Sequence, residues 1–112
     1  YCYRLPDWKP EKAVDLVITM EFMYYLEDPL RFLSELNRNW MKEGGIIAIG
    51  VDHYVENSVS LSWPDSLGIP MSSLSIREWV DGLEDAGFKD VEHHQFGARE
   101  GWSGTLVLLG RK

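Results

Sequence analysis

Two apolar runs separated by a helical pattern dominate the first half of the chain. Val14-Asp15-Leu16-Val17-Ile18-Thr19-Met20 and Gly45-Ile46-Ile47-Ala48-Ile49-Gly50-Val51 are rich in β-branched residues and do not alternate with polar ones. Both patterns predict strands buried on two faces, as in a parallel sheet. Between them, Asp28 is a good N-cap, Pro29 suits the first helical position, Leu30, Leu33, Leu36 and Trp40 recur at helical spacing, and Gly44-Gly45 supplies a stop, so a helix is predicted over 29–43. The unit reads strand–helix–strand. Such crossovers are right-handed in nearly all cases, and open α/β sheets bind ligands outside the carboxyl ends of their strands. The segments that follow Met20 and Val51 are therefore where function is expected.

The remaining pattern fits the same class. Residues 1–13 read as a lead-in loop, and Glu21-Phe22-Met23-Tyr24-Tyr25-Leu26-Glu27 is too aromatic for an ordinary solvent loop. Residues 52–74 read as a long loop or lid, kept ordered by Tyr54, Leu61, Trp63, Ile69 and Met71. Ser75-Ile76-Arg77-Glu78 has the form of a capping box that opens a second helix over 76–86, with Trp79, Val80, Leu83 and Ala86 as its apolar stripe. Gly87-Phe88 is the stop. Lys89 to Phe96 and Thr105 to Leu109, with Gly97, Gly101 and Gly104 between them, predict a strand hairpin. The whole of 1–112 reads as one domain without internal repeats.

Composition narrows the function classes. With 112 residues, 45% of them hydrophobic, the chain can bury a modest core. Lys plus Arg number 11 against 18 for Asp plus Glu, giving a formal charge of -7 with no basic run, which argues against nucleic-acid and anionic-membrane partners. The single Cys2 cannot form an internal disulfide, and no apolar stretch approaches the roughly 20 residues that span a bilayer, so a cytoplasmic location is expected. His93 and His94 are neighbours on a predicted strand and must point to opposite faces, which does not suit metal binding. His53, in Asp52-His53-Tyr54 after the second strand, is the candidate general base. Glu21, just past the first strand, is either an exposed acidic loop residue or a group that binds a cationic or hydroxylic ligand, and Tyr24 and Tyr25, flanked by Phe22 and Leu26, either pack the helix entry or stack on or hydrogen-bond a ligand. No G-x-G-x-x-G, P-loop, G-x-S-x-G or H-E-x-x-H motif occurs.

In order and spacing, these pieces resemble the class I S-adenosylmethionine-dependent methyltransferases, especially the type 11 group. The resemblance is carried by Val14 to Val17, Phe22-Met23, Tyr25, Asp28-Pro29, Leu33 to Glu35 and Lys42 to Gly45, then by Ala86-Gly87-Phe88 and the closing GTLVLLGRK. It covers residues 5–112 and implies an α/β fold: a partial Rossmann-like methyltransferase sheet, strands four to seven with the last antiparallel, and helices mainly on one face. The family's glycine-rich turn after strand one and acidic residue ending strand two have no counterpart here. Leu5-Pro6 resembles the pair that follows strand three, so this reading expects the cofactor-specific half to lie upstream.

The resemblance implies that Thr19, Met20 and Glu21 lie beside the methionine part of S-adenosylmethionine. It also implies that Tyr24, Tyr25, Asp52, His53, Tyr54 and Trp63 lie on the side of a small-molecule methyl acceptor. The expected function is the substrate-side half of a methyltransferase, inactive alone; the rival is a non-catalytic interaction or dimerisation module that keeps the architecture. The strand order that the resemblance implies makes both crossovers step the same way, and two right-handed crossovers of that kind place the helices at 29–43 and 76–86 on one face and leave the first strand an edge. A homodimer or the missing N-terminal half is the expected partner for what stays uncovered.

Overall fold

The structure, a computed structural model, describes residues 9–112. Cys2, Leu5-Pro6 and the first part of the lead-in loop lie outside the described residues. Four strands form one mixed sheet in the order β1-β2-β4-β3. β1 (Val14–Met20) runs parallel to β2 (Met41–Val51), β4 (Thr105–Arg111) is antiparallel to β2, and β3 (Lys89–Phe96) is antiparallel to β4. The longer helices are α1 (Pro29–Glu35) and α3 (Ile76–Asp85), with the short α2 (Trp63–Leu67) between them. No helix among the described residues is long and apolar enough to cross a membrane.

Register explains where the core sits. Val17 pairs with Ile47 and Thr19 with Ile49, while Ile49 faces Leu108 and Val51 faces Leu106. Side chains alternate across a strand, so these residues share one face, and Ile47, Ile49, Val51, Leu106 and Leu108 are buried there against Phe32, Leu33, Leu36, Trp79 and Leu83. Both main helices cover this face, as the two crossovers require, and they touch: the side chain of Leu30 fills the space that a Cβ on Gly82 would occupy. The opposite face is bare. Leu16, Ile18 and Met20 of β1 are 53%, 62% and 59% exposed, with Ile46 beside Leu16 and Phe96 on the same face at the far edge of the sheet. β1 is an edge strand, and an apolar recess of about 340 Å³ opens along it between Val17, Thr19, Phe22, Phe32, Leu36 and Trp40.

The helix predicted over 29–43 is shorter than its apolar spacing suggests. It begins as expected, with the Asp28 carboxylate accepting from the Arg31 N–H at 3.1 Å and Pro29 at the first position. The α-helix ends at Glu35, a wider π-type turn carries Leu36 to Trp40, and Met41 already pairs with Val14. The cause is a large bulge: from Val14 to Leu16 β1 advances two residues while its partners run from Met41 to Ile46, five residues on. Four residues of β2, 42–45, therefore stand opposite Asp15 alone, three more than regular pairing would place there. Gly44 takes a φ of +80°, and its N–H donates to the Lys112 carbonyl at 3.0 Å, while the Lys112 N–H donates to Gly45 at 2.9 Å.

The second half follows its signals closely. Ser75 accepts from the Glu78 N–H at 3.0 Å and Glu78 accepts from the Ser75 N–H at 3.0 Å, the reciprocal box expected, and α3 stops one residue early, with Gly87 at φ +103°. Segment 52–74 is more structured than a loop. A single 3₁₀ stretch, Ser58–Ser62, runs into α2, which Gly68 ends in the left-handed conformation. The segment is tied down at its end by Ser72 N–H to the Tyr24 carbonyl, 2.7 Å, and by Val55 N–H to the Leu74 carbonyl, 2.9 Å.

Candidate active site

Because β1 and β2 are parallel, their carboxyl ends lie side by side, and the chain after each turns toward the same end of the sheet. The Glu21 N–H donates to the Gly50 carbonyl at 2.8 Å and latches these two ends together. Glu21 adopts φ +54°, a left-handed conformation that is costly for a residue with a side chain and that concentrates at functional sites. The turn aims its carboxylate inward, where Oε2 accepts from the Tyr24 hydroxyl at 2.7 Å. Oε1 is buried and without a partner among the described residues, as is the Thr19 hydroxyl.

Burial raises the Glu21 pKa most and the Asp52 charge adds to it, while the Tyr24 hydrogen bond pulls the other way. Burial and the Glu21 carboxylate together hold the Tyr24 hydroxyl far above its ordinary range, so Tyr24 is a fixed donor. Asp52, the first residue past β2, is held by the Thr105 hydroxyl, which donates to Oδ1 at 2.6 Å.

His53 is fully buried. Its Nδ1 lies 2.9 Å from the Ser60 carbonyl and its Nε2 lies 2.8 Å from the Ser73 hydroxyl. A carbonyl only accepts, so Nδ1 carries the proton and Nε2 accepts from Ser73. Burial lowers the His53 pKa, against the opposing effect of the Ser60 carbonyl, and favours this neutral form. Neither ring nitrogen is open to a ligand directly.

The aromatic residues divide by depth. Tyr25 is 45% exposed, and its ring centroid lies 4.5 Å from that of Tyr24. Tyr24 stands 5.5 Å from His53, His53 6.1 Å from Trp63, and Trp63 6.2 Å from Trp102, a row of five rings across the open end. The structure takes Tyr54 elsewhere: it is fully buried, its hydroxyl donates to the Gly104 and Ser103 carbonyls at 2.8 and 3.1 Å, and it accepts from Gln95 at 3.1 Å. Met20, one residue from Glu21, projects to the bare face over Gly50, while Thr19 faces the helices. His93 and His94 pair with Leu108 and Val107 and so face opposite sides, and no group of three potential metal ligands converges among the described residues. Trp102 and Ser73 gave no signal in the sequence, since each sits in a short irregular stretch and reaches the site only through tertiary contacts.

Solved structures with the same arrangement are methyltransferases. A chain of the Haloferax volcanii complex formed with the Trm112 methyltransferase activator matches with a TM-score of 0.73 at 26% identity, over 88% of this chain and 54% of that one. An S-adenosylmethionine-dependent methyltransferase of Mesorhizobium loti matches with a TM-score of 0.74 at 12% identity, over 93% of this chain and 64% of that one. Human N-acetylserotonin methyltransferase, solved in complex with SAM, matches at 0.66 and 19% identity over 92% of this chain and 30% of its own. The fold is that of S-adenosylmethionine-dependent methyltransferases, and the chain spans little more than half the length of the first of these neighbours. No protein-family model matches the sequence, and no curated protein matches it.

Proposed function

We propose that this chain is the substrate-side part of a cytoplasmic S-adenosylmethionine-dependent methyltransferase, type 11-like, that acts on a small molecule. The observation that carries the reading is the strained, inward-turned Glu21 at the paired carboxyl ends of β1 and β2, within a sheet shared with methyltransferases. The residues suit the cofactor: two buried polar atoms, Thr19 Oγ1 and Glu21 Oε1, lack partners among the described residues at the end of β1 and would hold its methionine part together with the Met20 backbone. S-adenosylmethionine, when bound, supplies an electrophilic methyl group. Everything else asked of this chain is alignment. Tyr25, Trp63 and the Asp52 carboxylate would hold the acceptor, with Tyr24 fixing Glu21 in place. His53 would be the middle ring of that row, and buried Tyr54 would act only indirectly, by holding the Ser103 and Gly104 backbone next to Trp102. Any proton leaving the acceptor reaches His53 only through the Ser73 hydroxyl, because both ring nitrogens are engaged.

The cofactor's remaining groups would be held by strands that this sequence does not supply, so the 112-residue chain alone should be inactive. Calorimetric titration with S-adenosylmethionine tests the division: affinity weaker than micromolar is expected, and micromolar binding would overturn it. In a protein that carries both halves, transfer of labelled methyl to a panel of small amines and phenols should fall on Glu21→Gln. Transfer indifferent to that change would remove Glu21 from the site.

A further inference from the structure

Beyond methyl transfer, the geometry points to a second chemistry: we propose that Ser73 is a nucleophilic serine, activated by His53, that accepts the acyl group of small aromatic esters. Ser73 is exposed, whereas the imidazole it touches is fully buried, so the pair presents a hydroxyl to solvent and keeps its base dry. The direction of the hydrogen bond is fixed by the far side of the ring. Nδ1–H is committed to the Ser60 carbonyl at 2.9 Å, which leaves Nε2 as an acceptor 2.8 Å from Ser73 Oγ. A nucleophile hydrogen-bonded to a base that a third group orients is the arrangement that serine acyl transfer requires, here with a carbonyl as orienter.

Both members are held rigidly. Ser60 is anchored by its hydroxyl donating to the Asn57 carbonyl at 2.8 Å and by its N–H donating to the same carbonyl at 2.9 Å, and Asn57 in turn donates to the Asp52 carbonyl at 2.8 Å. On the other side, Ser72 is pinned by N–H and hydroxyl to the Tyr24 and Leu26 carbonyls, each at 2.7 Å, and Leu74 accepts from Val55 at 2.9 Å. Ser73 is thus clamped between two fixed neighbours. The N–H groups of Ser73 and Leu74 donate to nothing among the described residues and are free for an oxyanion. The Trp63 ring beside His53 favours an aromatic leaving group.

In the step itself, the Ser73 Oγ–H bond breaks, its proton passes to His53 Nε2, and Oγ forms a bond to the ester carbonyl carbon. The bond from that carbon to the leaving oxygen then breaks. The departing phenol takes the proton from Nε2 and leaves acyl-Ser73 with neutral His53.

The test uses the 112-residue chain and p-nitrophenyl acetate, read by p-nitrophenolate release and by mass spectrometry of peptides. A burst of one equivalent is expected, with acetyl on the Ser73 peptide formed about a hundredfold faster than on any other serine peptide, the lower range for general-base assistance. Ser73→Ala should abolish the burst with no change in circular dichroism. His53 is too deeply buried to guarantee that its variants fold, so its part is read from pH: the rate should rise as the imidazole loses its proton and level off above about 6.5. Acetylation absent from Ser73, a burst that survives Ser73→Ala, or a rate that climbs with hydroxide without levelling each overturns the proposal. None of these outcomes involves S-adenosylmethionine, so the methyltransferase reading stands or falls separately.

Discussion

Tyr25 and Tyr54 do different work because depth, not residue type, decides what a ring can meet. Tyr54 lies in the core with three hydrogen-bond partners, so Tyr54→Phe removes a donor from two carbonyls and should cost about 1–3 kcal/mol, measured by chemical denaturation. Tyr25 is half exposed beside the Tyr24 ring, and as a proposed acceptor contact Tyr25→Ala should stay within about 1 kcal/mol while altering acceptor binding in the complete protein. His53 gives a pH signature. Its folded pKa is lowered, so below the ordinary value of 6.5 the unfolded chain binds the extra proton. Its contribution is fully present above 6.5 and is lost as pH falls toward the folded pKa, by at most about 1.4 kcal/mol per pH unit. An NMR titration of the ring with its midpoint below 6.5 confirms the sign; a midpoint above it refutes it. The raised pKa of Glu21 works in the opposite sense, since its ionisation favours the unfolded chain as pH rises above the usual carboxylate range.

Among the elements, α3 is written almost completely in local sequence. Ser75 and Glu78 satisfy each other's backbone donors and Gly87 supplies the left-handed stop, neither of which depends on the rest of the fold. Ser75→Ala should therefore cost about 1 kcal/mol, visible as a lower denaturation midpoint with an unchanged slope. The first helix was less legible. Its cap at Asp28 was plain, but its end is set by a strand partner: Val14 draws Met41 into the ladder and converts the expected last turn into a π-type turn and a bulge. Segment 52–74 was less legible for another reason: its 3₁₀ stretch is held by contacts inside the segment, Asn57 to the Asp52 carbonyl, Ser60 to the Tyr54 carbonyl and the Ser60 carbonyl to His53, which leave no hydrophobic period to read.

On the scale of the molecule, the bare face is the main unsatisfied feature. Leu16, Ile18 and Met20 project from an edge strand whose outer backbone groups have no strand partner among the described residues, next to an apolar recess. Exposed apolar surface beside a free edge favours association, and burying it gains about 25 cal/mol per Å². The proposed occupant is a second copy or the complementary methyltransferase half, which would extend the sheet past β1. Light scattering after gel filtration should show self-association at micromolar concentration. Ile18→Lys should abolish it while leaving stability within about 0.5 kcal/mol, since that side chain lies outside the core. A stable monomer of the unmodified chain would count against both occupants.

Read alone, the sequence determined the α/β class and the strand–helix–strand unit, because hydrophobic period and caps are local properties; the shared helical face was expected only from the strand order that the family resemblance implies, combined with the general preference for right-handed crossovers. The sequence also placed Glu21 and Asp52 just past the carboxyl ends of β1 and β2, which parallel strands must present together. Tertiary structure alone decided the rest. It gave Glu21 its left-handed turn, sent Tyr54 inward, committed both nitrogens of His53, brought Trp102 beside Trp63 and set Ser73 against the imidazole. Those outcomes depend on which backbone group or ring from a distant segment arrives beside a side chain, and a polar atom in a dry interior takes the partner that the packed fold supplies.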